Sequence, residues 1–460
     1  MEDWKQKAKQ FLYEFKGNNY LFSTALEDRI RDYNKTMESN TPLKAPFRPD
    51  TPPTLASLLA SEITPLGKKV SFVANHTPQG HTSSQLAELR QCLEACGMEV
   101  NQEYIAGAKP NAPQEDVIRI AIRINQHQPD VVVSVGGGST TDAVKAAIAY
   151  AALKDRYPDL STYFGSGEIS RKLARERRTL IPHVAVMTAA GSAAHLTKYA
   201  NVTDEDTGQK MLMVDDALIP VKAVFDYSTT FTQPLSLTVD GALDGISHAL
   251  EVLMGVPEHL LEKARPVCLL AIELIVTHLK RAVHSPSDPA AREAIALGTD
   301  LGGYAIMIGG TNGAHLNSFS LTGILSHGRA CALMNPYYVV FFSAAVADRL
   351  KEVARIYKRA GYMQEDPEKL TGTALGTALA NGMMRLAEDI GFPTTLREVP
   401  GYTEAHKKKC LEAAKDPKLQ SKLQNMPVPL LPTQIDKYMG AILDAAEAGK
   451  LEKIEYFPPC

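Results

Sequence analysis

Between Lys68 and Ser228 the chain alternates short apolar runs with stretches whose apolar residues recur every three or four positions. KKVSFVAN (68–75) has the pattern of a strand. SSQLAELRQCLEACGM (83–98) has the period of an amphipathic helix and stops at Gly97. EVNQEYIAG predicts a second strand and EDVIRIAIRINQH (115–127) a second helix. DVVVSVGGG (130–138) predicts a third strand, leading directly into the alanine-rich helix STTDAVKAAIAYAAL. HVAVMTAAGSAAHLT (183–197) holds a further strand and a small-residue loop, and AVFDYS (223–228) a last strand. Alternation of this kind builds a mostly parallel sheet covered by helices. After Phe231 helical patterns dominate, as in LDGISHALEVLM and PAAREAIALGTDLGGYAIMIGG. The boundary is expected near Asp226–Leu235, with Pro234 as punctuation. The predicted architecture is an α/β domain over 67–230 and an all-α domain over 231–460. Residues 1–66, with a helix near Trp4–Phe15 and a proline-rich connector at Phe47–Pro53, are expected to form an extension and linker packed on the first domain.

Composition narrows the picture by exclusion. A net charge of −3 over 460 residues gives no reason to expect nucleic acid or an anionic membrane as partner. No apolar run approaches the roughly 20 residues of a membrane span. The N-terminus is charged and lacks the apolar stretch of a signal peptide. Six cysteines in so long a chain do not make a disulfide framework, which points to a reducing, cytoplasmic setting.

The chemistry concentrates between Asp240 and His327. Asp244 and His248 are four apart and share one face of a helix, half of a divalent-metal site. His315 and His327 follow in a glycine-rich region. Three imidazoles and a carboxylate suit iron(II) or zinc far better than magnesium or calcium. Asp240 reads as a first-turn residue rather than a ligand. Gly136-Gly137-Gly138-Ser139, after a valine-rich strand and before a helix, has the makings of a phosphate loop, with Asp142 and Lys145 in the first helical turns. It matches neither the P-loop nor the GxGxxG pattern, and a tight strand–helix turn is the plain alternative. Thr188-Ala-Ala-Gly-Ser192 offers either a nucleotide wall or a close-packed turn.

These residues resemble the iron-containing (group III) alcohol dehydrogenases. The likeness runs from about Lys68 to Leu443 through GGGSTTDAVKAA (136–147), DGISHALE (244–251), SHGRACALMNP (326–336) and the hairpin-like NVTDEDTGQK (201–210). It implies a dinucleotide-binding α/β domain, a helical domain, and a cleft between them holding metal and a small alcohol or aldehyde. The implied metal ligands are Asp244, His248, His315 and His327, with Lys210 beside the nicotinamide completing the catalytic set. The implied cofactor contacts are Asn75, Gly136, Gly137, Gly138, Ser139, Asp142, Thr188, Ser192, Thr197 and Lys210. The resemblance thus implies NAD or NADP with a divalent metal, iron(II) or zinc, and a homo-oligomer is expected. Several positions depart from the family pattern. Asn75 replaces a common aspartate, which removes a repulsion against the 2′-phosphate of NADP. Ala193, Ala194 and His195 replace a Gly-Ser-Glu run. Residues 20–30 and the 35 or so that follow are altered or inserted. A two-residue gap after Phe319 puts His315 at the ligand position and Phe319 where many members have a non-ligand histidine. The competing expectations are a non-redox lyase or cyclase of the dehydroquinate synthase type and a non-catalytic nucleotide-binding relative.

Overall fold

Strand β5 (Val131–Gly136) shows why the first half folds as it does. Val131, Val133 and Val135 point into one hydrophobic core and Val132 into another, so successive residues are buried on opposite faces. A computed structural model describes residues 3–23, 54–74 and 81–454; Asn75 and the connector Phe47–Pro53 lie outside the described residues. The other strands are β1 (Tyr20–Phe22), β2 (Lys69–Ala74), β3 (Glu99–Val100), β4 (Ile105–Ala106), β6 (Gly165–Ser166), β7 (His183–Met187), β8 (Tyr199–Asp204), β9 (Gln209–Val214) and β10 (Lys222–Phe225). The main sheet has the order β1-β10-β7-β5-β2-β3, with β4 also on β2, and every pairing in it is parallel. Hairpin β8–β9, with β6 alongside, forms a second small sheet.

Helices α2 (Leu55–Ile63) and α3 (His81–Ala95) cover one face of the main sheet, and α4 (Gln114–His127) and α5 (Gly138–Leu153) the other. A further helix, α6 (Glu168–Glu176), precedes β7. Beyond β10 the structure is helical. Helices α7 (Leu235–Gly255), α8 (Glu258–His284) and α9 (Pro289–Ile308) pack on one another, followed by the short α10 (Gly313–Ser318) and then α11 (His327–Phe342). Almost every residue of α7 from Thr238 onward is buried, because helices cover it on several sides. Five cysteines among the described residues are free, and no helix among them is long and apolar enough to cross a membrane.

Two expectations need correction. Residues 99–107 form two dipeptide strands, β3 and β4, instead of one. The N-terminal residues do not simply pack on the sheet domain. Strand β1 extends the sheet beside β10, Tyr20 pairing with Ala223, but the preceding helix α1 (Asp3–Lys16) lies against α9. Phe15 stacks on Tyr304 with ring centroids 4.5 Å apart, and Lys5 pairs with Glu293. The apolar stripe of α1 covers α9 because α9 presents an aromatic ring there.

Candidate metal centre and cofactor cleft

Helix α7 carries a polar stripe through an apolar core. Asp240, Asp244, His248 and Glu251 recur at intervals of four, four and three, so their side chains emerge on one face. Asp240 accepts hydrogen bonds from Ser326 Oγ (2.6 Å) and Arg329 Nε (3.0 Å). It therefore clamps the start of α11 and is no ligand. One turn on, Asp244 Oδ1 faces His248 Nε2 at 3.8 Å and His315 Nε2 at 3.6 Å. Glu251 accepts from His315 Nδ1–H at 2.6 Å and from the Asn312 N–H at 2.7 Å. Burial alone would raise the Glu251 carboxyl, yet His315 and the Asn312 N–H hold it below the usual range. Because Nδ1 of His315 is the donor, its Nε2 carries the lone pair, and that atom is turned toward Asp244.

His327 is fixed in the same way. Ser318 Oγ donates to the His315 carbonyl at 2.6 Å and accepts from His327 Nδ1–H at 3.0 Å. The rings of His248 and His315 stack with centroids 4.9 Å apart, and those of His315 and His327 meet edge to face at 5.2 Å. Burial lowers His248 to about 4 and His327 well below the ordinary histidine value, keeping both neutral, the form that ligates metals. Asp244 Oδ1 and His315 Nε2, 3.6 Å apart, are both buried without a hydrogen-bond partner, and His248 presents Nε2 to the same carboxylate. Buried polar atoms are ordinarily paired, so this convergence of orphaned lone pairs fits a cation. Ligand atoms of Asp244, His315, His327 and Cys331 also lie within 4.8 Å of one another. Helix α11 reaches this centre only because Gly328 lacks a side chain: a Cβ there would sit 2.4 Å from the Asp240 carbonyl oxygen and 2.9 Å from Asp244 Cβ.

A cavity of about 220 Å³ joins this cluster to the sheet. Gly138, Ser139, Asp142, Ser192, Thr197 and Lys210 line it from the sheet side, facing Asp244, His248, His315, Phe319 and His327. Gly136, Gly137 and Thr188 do not line it. Gly136 ends β5, and its carbonyl accepts from the Thr188 N–H at 3.1 Å, so these three shape the turn. Ser139 Oγ accepts from the Asn111 N–H (3.0 Å), and Lys210 Nζ donates to Asn111 Oδ1 (3.0 Å), so Asn111 bridges the glycine loop and the hairpin lysine. Burial lowers the Lys210 ammonium, with Asp142 opposing. Phe319 is buried and stacks on His327, and its carbonyl accepts from the Lys210 N–H. His195 is a packed residue outside the cavity lining: it meets Tyr20, Phe225 and Asp300, with Nε2 3.4 Å from Asp300 Oδ1.

Asp142 and Lys145 brace the fold. Asp142 accepts from Asn201 N (3.1 Å) and Nδ2 (3.3 Å), while Lys145 Nζ donates to the carbonyls of Thr197 (2.7 Å) and Tyr199 (2.8 Å). Burial lowers Lys145 to about 7, opposed by Asp142. Asp142→Ala is therefore expected to destabilise the protein by about 2–3 kcal/mol, since it leaves a buried cation without its neighbouring charge. Urea unfolding reads this as a lowered midpoint; an unchanged midpoint would restrict Asp142 to the cofactor.

The two walls touch through backbone. A Cβ on Gly241 of α7 would lie 2.1 Å from the Ala190 carbonyl oxygen and 3.1 Å from Gly191 Cα. Sequence reasoning gave no role to four residues. Glu251 is signalled by its i, i+3 spacing from His248, and Cys331 by its i, i+4 spacing from His327. Asn111 and Lys422, which also line the cavity, belong to no spacing pattern.

Residues 53–227 match the family described as iron-containing alcohol dehydrogenase, and residues 238–432 its C-terminal counterpart, Fe-containing alcohol dehydrogenase family, C-terminal. The chain is 26% identical over 330 residues to the NAD-dependent methanol dehydrogenase of Bacillus methanolicus, covering 70% of this chain and 79% of that one. It is 27% identical over 320 residues to the NADPH-dependent butanol dehydrogenase of Clostridium saccharobutylicum, covering 69% and 77%. The solved alcohol dehydrogenase from Oenococcus oeni shares the fold with a TM-score of 0.71 at 24% identity, covering 86% of this chain and 96% of that one.

Proposed function

The chain belongs to the iron-containing alcohol dehydrogenase family, and from that premise we propose that it interconverts an alcohol and its aldehyde or ketone in the cleft between Ser139 and His315. It is an NAD(P)-linked alcohol oxidoreductase that uses a divalent metal. The residue assignments are our reading. The observation that carries them is the pair of partnerless buried lone pairs on Asp244 Oδ1 and His315 Nε2, with His248 and His327 beside them, facing a cavity whose other wall is the glycine loop.

In this reading Asp244, His248, His315 and His327 hold the metal. When bound, it supplies Lewis acidity that stabilises the alkoxide or polarises the carbonyl. Glu251 and Ser318 fix the ring orientations of His315 and His327. Gly138, Ser139, Ser192 and Thr197 seat the cofactor, while Lys210, oriented by Asn111, faces its nicotinamide end. A nicotinamide held there would supply the hydride acceptor for the carbinol carbon, and oxidation would also release the hydroxyl proton. Phe319, stacked on His327, has no group that could accept that proton. Iron(II) is the proposed metal and zinc the competitor, since both accept this donor set and the Cys331 thiol lies within the cluster. NAD and NADP are both admitted, as the named cofactors of the two relatives differ. The reading extends to a cytoplasmic homo-oligomer, which light scattering on a sizing column tests for assembly. Nothing favours a lyase: Arg329, the sole arginine between residues 300 and 335, is paired with Asp240.

The expected result is consumption of NADH or NADPH by the metal-loaded protein with at least one short aldehyde, lost on chelation and restored by iron(II) or zinc. Chelator-treated enzyme that keeps full turnover, or no consumption of either cofactor with any carbonyl, would end the proposal.

A further inference from the structure

Lys422 is the one cavity-lining residue that the mechanism above leaves without a task and whose charge is not matched. It lies on a one-turn helix, Gln420–Gln424, and is 5% exposed. Among the described residues its ammonium has one hydrogen-bond partner, Thr311 Oγ1, and it lies 5.7 Å from the ring centroid of Tyr199 and 5.9 Å from that of Phe319. No carboxylate comes within 4.0 Å of it among the described residues. Glu251, the carboxylate whose charge acts on it, is engaged by His315 and Asn312. Burial lowers the Lys422 ammonium to about 8, with Glu251 opposing, so it is mostly charged at neutral pH.

A buried lysine ordinarily has a counter-charge. The two rings supply partial compensation through their negative faces, but the remaining N–H donors need an acceptor. We infer that Lys422 receives an anionic group of the substrate, so that the preferred substrate is a hydroxy acid interconverted with its oxo acid. A carboxylate fits better than a phosphate, because a single lysine offers one point charge and lacks the planar fork that favours a multiply charged group. The inference rests on the alcohol dehydrogenase reading for its reacting end. Lys422 is a specificity residue: it selects the far end of the molecule whose hydroxyl meets the cluster around Asp244.

The test separates binding from turnover. Propanoate and propanamide are titrated calorimetrically into enzyme loaded with metal and NAD, for the native chain, Lys422→Met and Lys422→Arg. Propanoate should bind about 30-fold more tightly than propanamide to the native chain and to Lys422→Arg, and the ratio should collapse to about 3-fold or less in Lys422→Met. A ratio near one in the native chain overturns the inference. So does a preference that survives in Lys422→Met, which would place the carboxylate elsewhere in the cleft. In parallel, the kcat/KM ratio for 3-hydroxypropanoate over propane-1,3-diol should fall by a similar factor in Lys422→Met. Absence of turnover with both substrates would count against the dehydrogenase reading, while the calorimetric ratio would still decide the place of Lys422.

Discussion

Asp244→Asn is expected to lower kcat/KM by at least about 1,000-fold, a loss of about 4 kcal/mol of transition-state stabilisation. The substitution keeps the size and shape of the side chain and removes its charge. Among the described residues Asp244 is the one carboxylate that faces two imidazole nitrogens, 3.8 and 3.6 Å away, and its Oδ1 has no hydrogen-bond partner. Metal analysis should find about one equivalent per chain in the native protein and well under one in the purified variant. Glu251→Gln should be milder, weakening metal binding by about 10–100-fold, because Glu251 acts on the metal only through the orientation of His315. Full metal occupancy and native turnover in Asp244→Asn would remove it from the centre.

Gly328→Ala should have the next largest effect, and through a different cause. The added Cβ would stand 2.4 Å from the Asp240 carbonyl oxygen, a backbone atom that cannot rotate away. Helix α11 must then retreat from α7, at an overpacking cost of about 1–3 kcal/mol. Gly328 follows His327 directly, so the retreat carries the proposed ligand His327 away from Asp244. Metal sites tolerate only about 0.2 Å of such displacement. A thermal melt should show a lowered Tm, and a competitive chelator titration a metal affinity reduced about tenfold or more. If the Tm falls and the metal affinity does not, the helix contact and the metal centre are independent.

Much of this was legible in the chain, for identifiable reasons. The strands at 69–74, 131–136 and 183–187 are buried on both faces and therefore appear as mostly apolar runs, interrupted only by Lys69, Ser71, Ser134 and His183, between helical periods. The stripe from Asp244 to Glu251 is legible because a helix converts spacing into a shared face. Strand β1 was not, since three residues are too few to show a period and its partner lies 200 residues away. Asp142 and Lys145 stood out by position, but spacing cannot tell a phosphate contact from a brace to Asn201 and Thr197. Lys422 was illegible because it is brought to the cavity by packing beneath α10, with no spacing relation to the other residues there. Asn75, whose amide bears on the choice between NAD and NADP, lies outside the described residues.

The contact between Gly191 and Gly241 sets where this cleft is free to vary. There the two walls meet main chain to main chain, with no side chain between them to lengthen, shorten or swing aside. Ordinary substitution can therefore neither widen nor narrow the gap at that point, and a mutation on one wall demands a matching retreat of the other. Adaptation to a larger or differently charged substrate is left to the positions where side chains do intervene, Phe319 and Lys422 foremost. The protein thus has a rigid gauge beside its cofactor loop and an adjustable jaw beyond it, and variants selected for new substrates should accumulate changes in the jaw while both glycines stay in place.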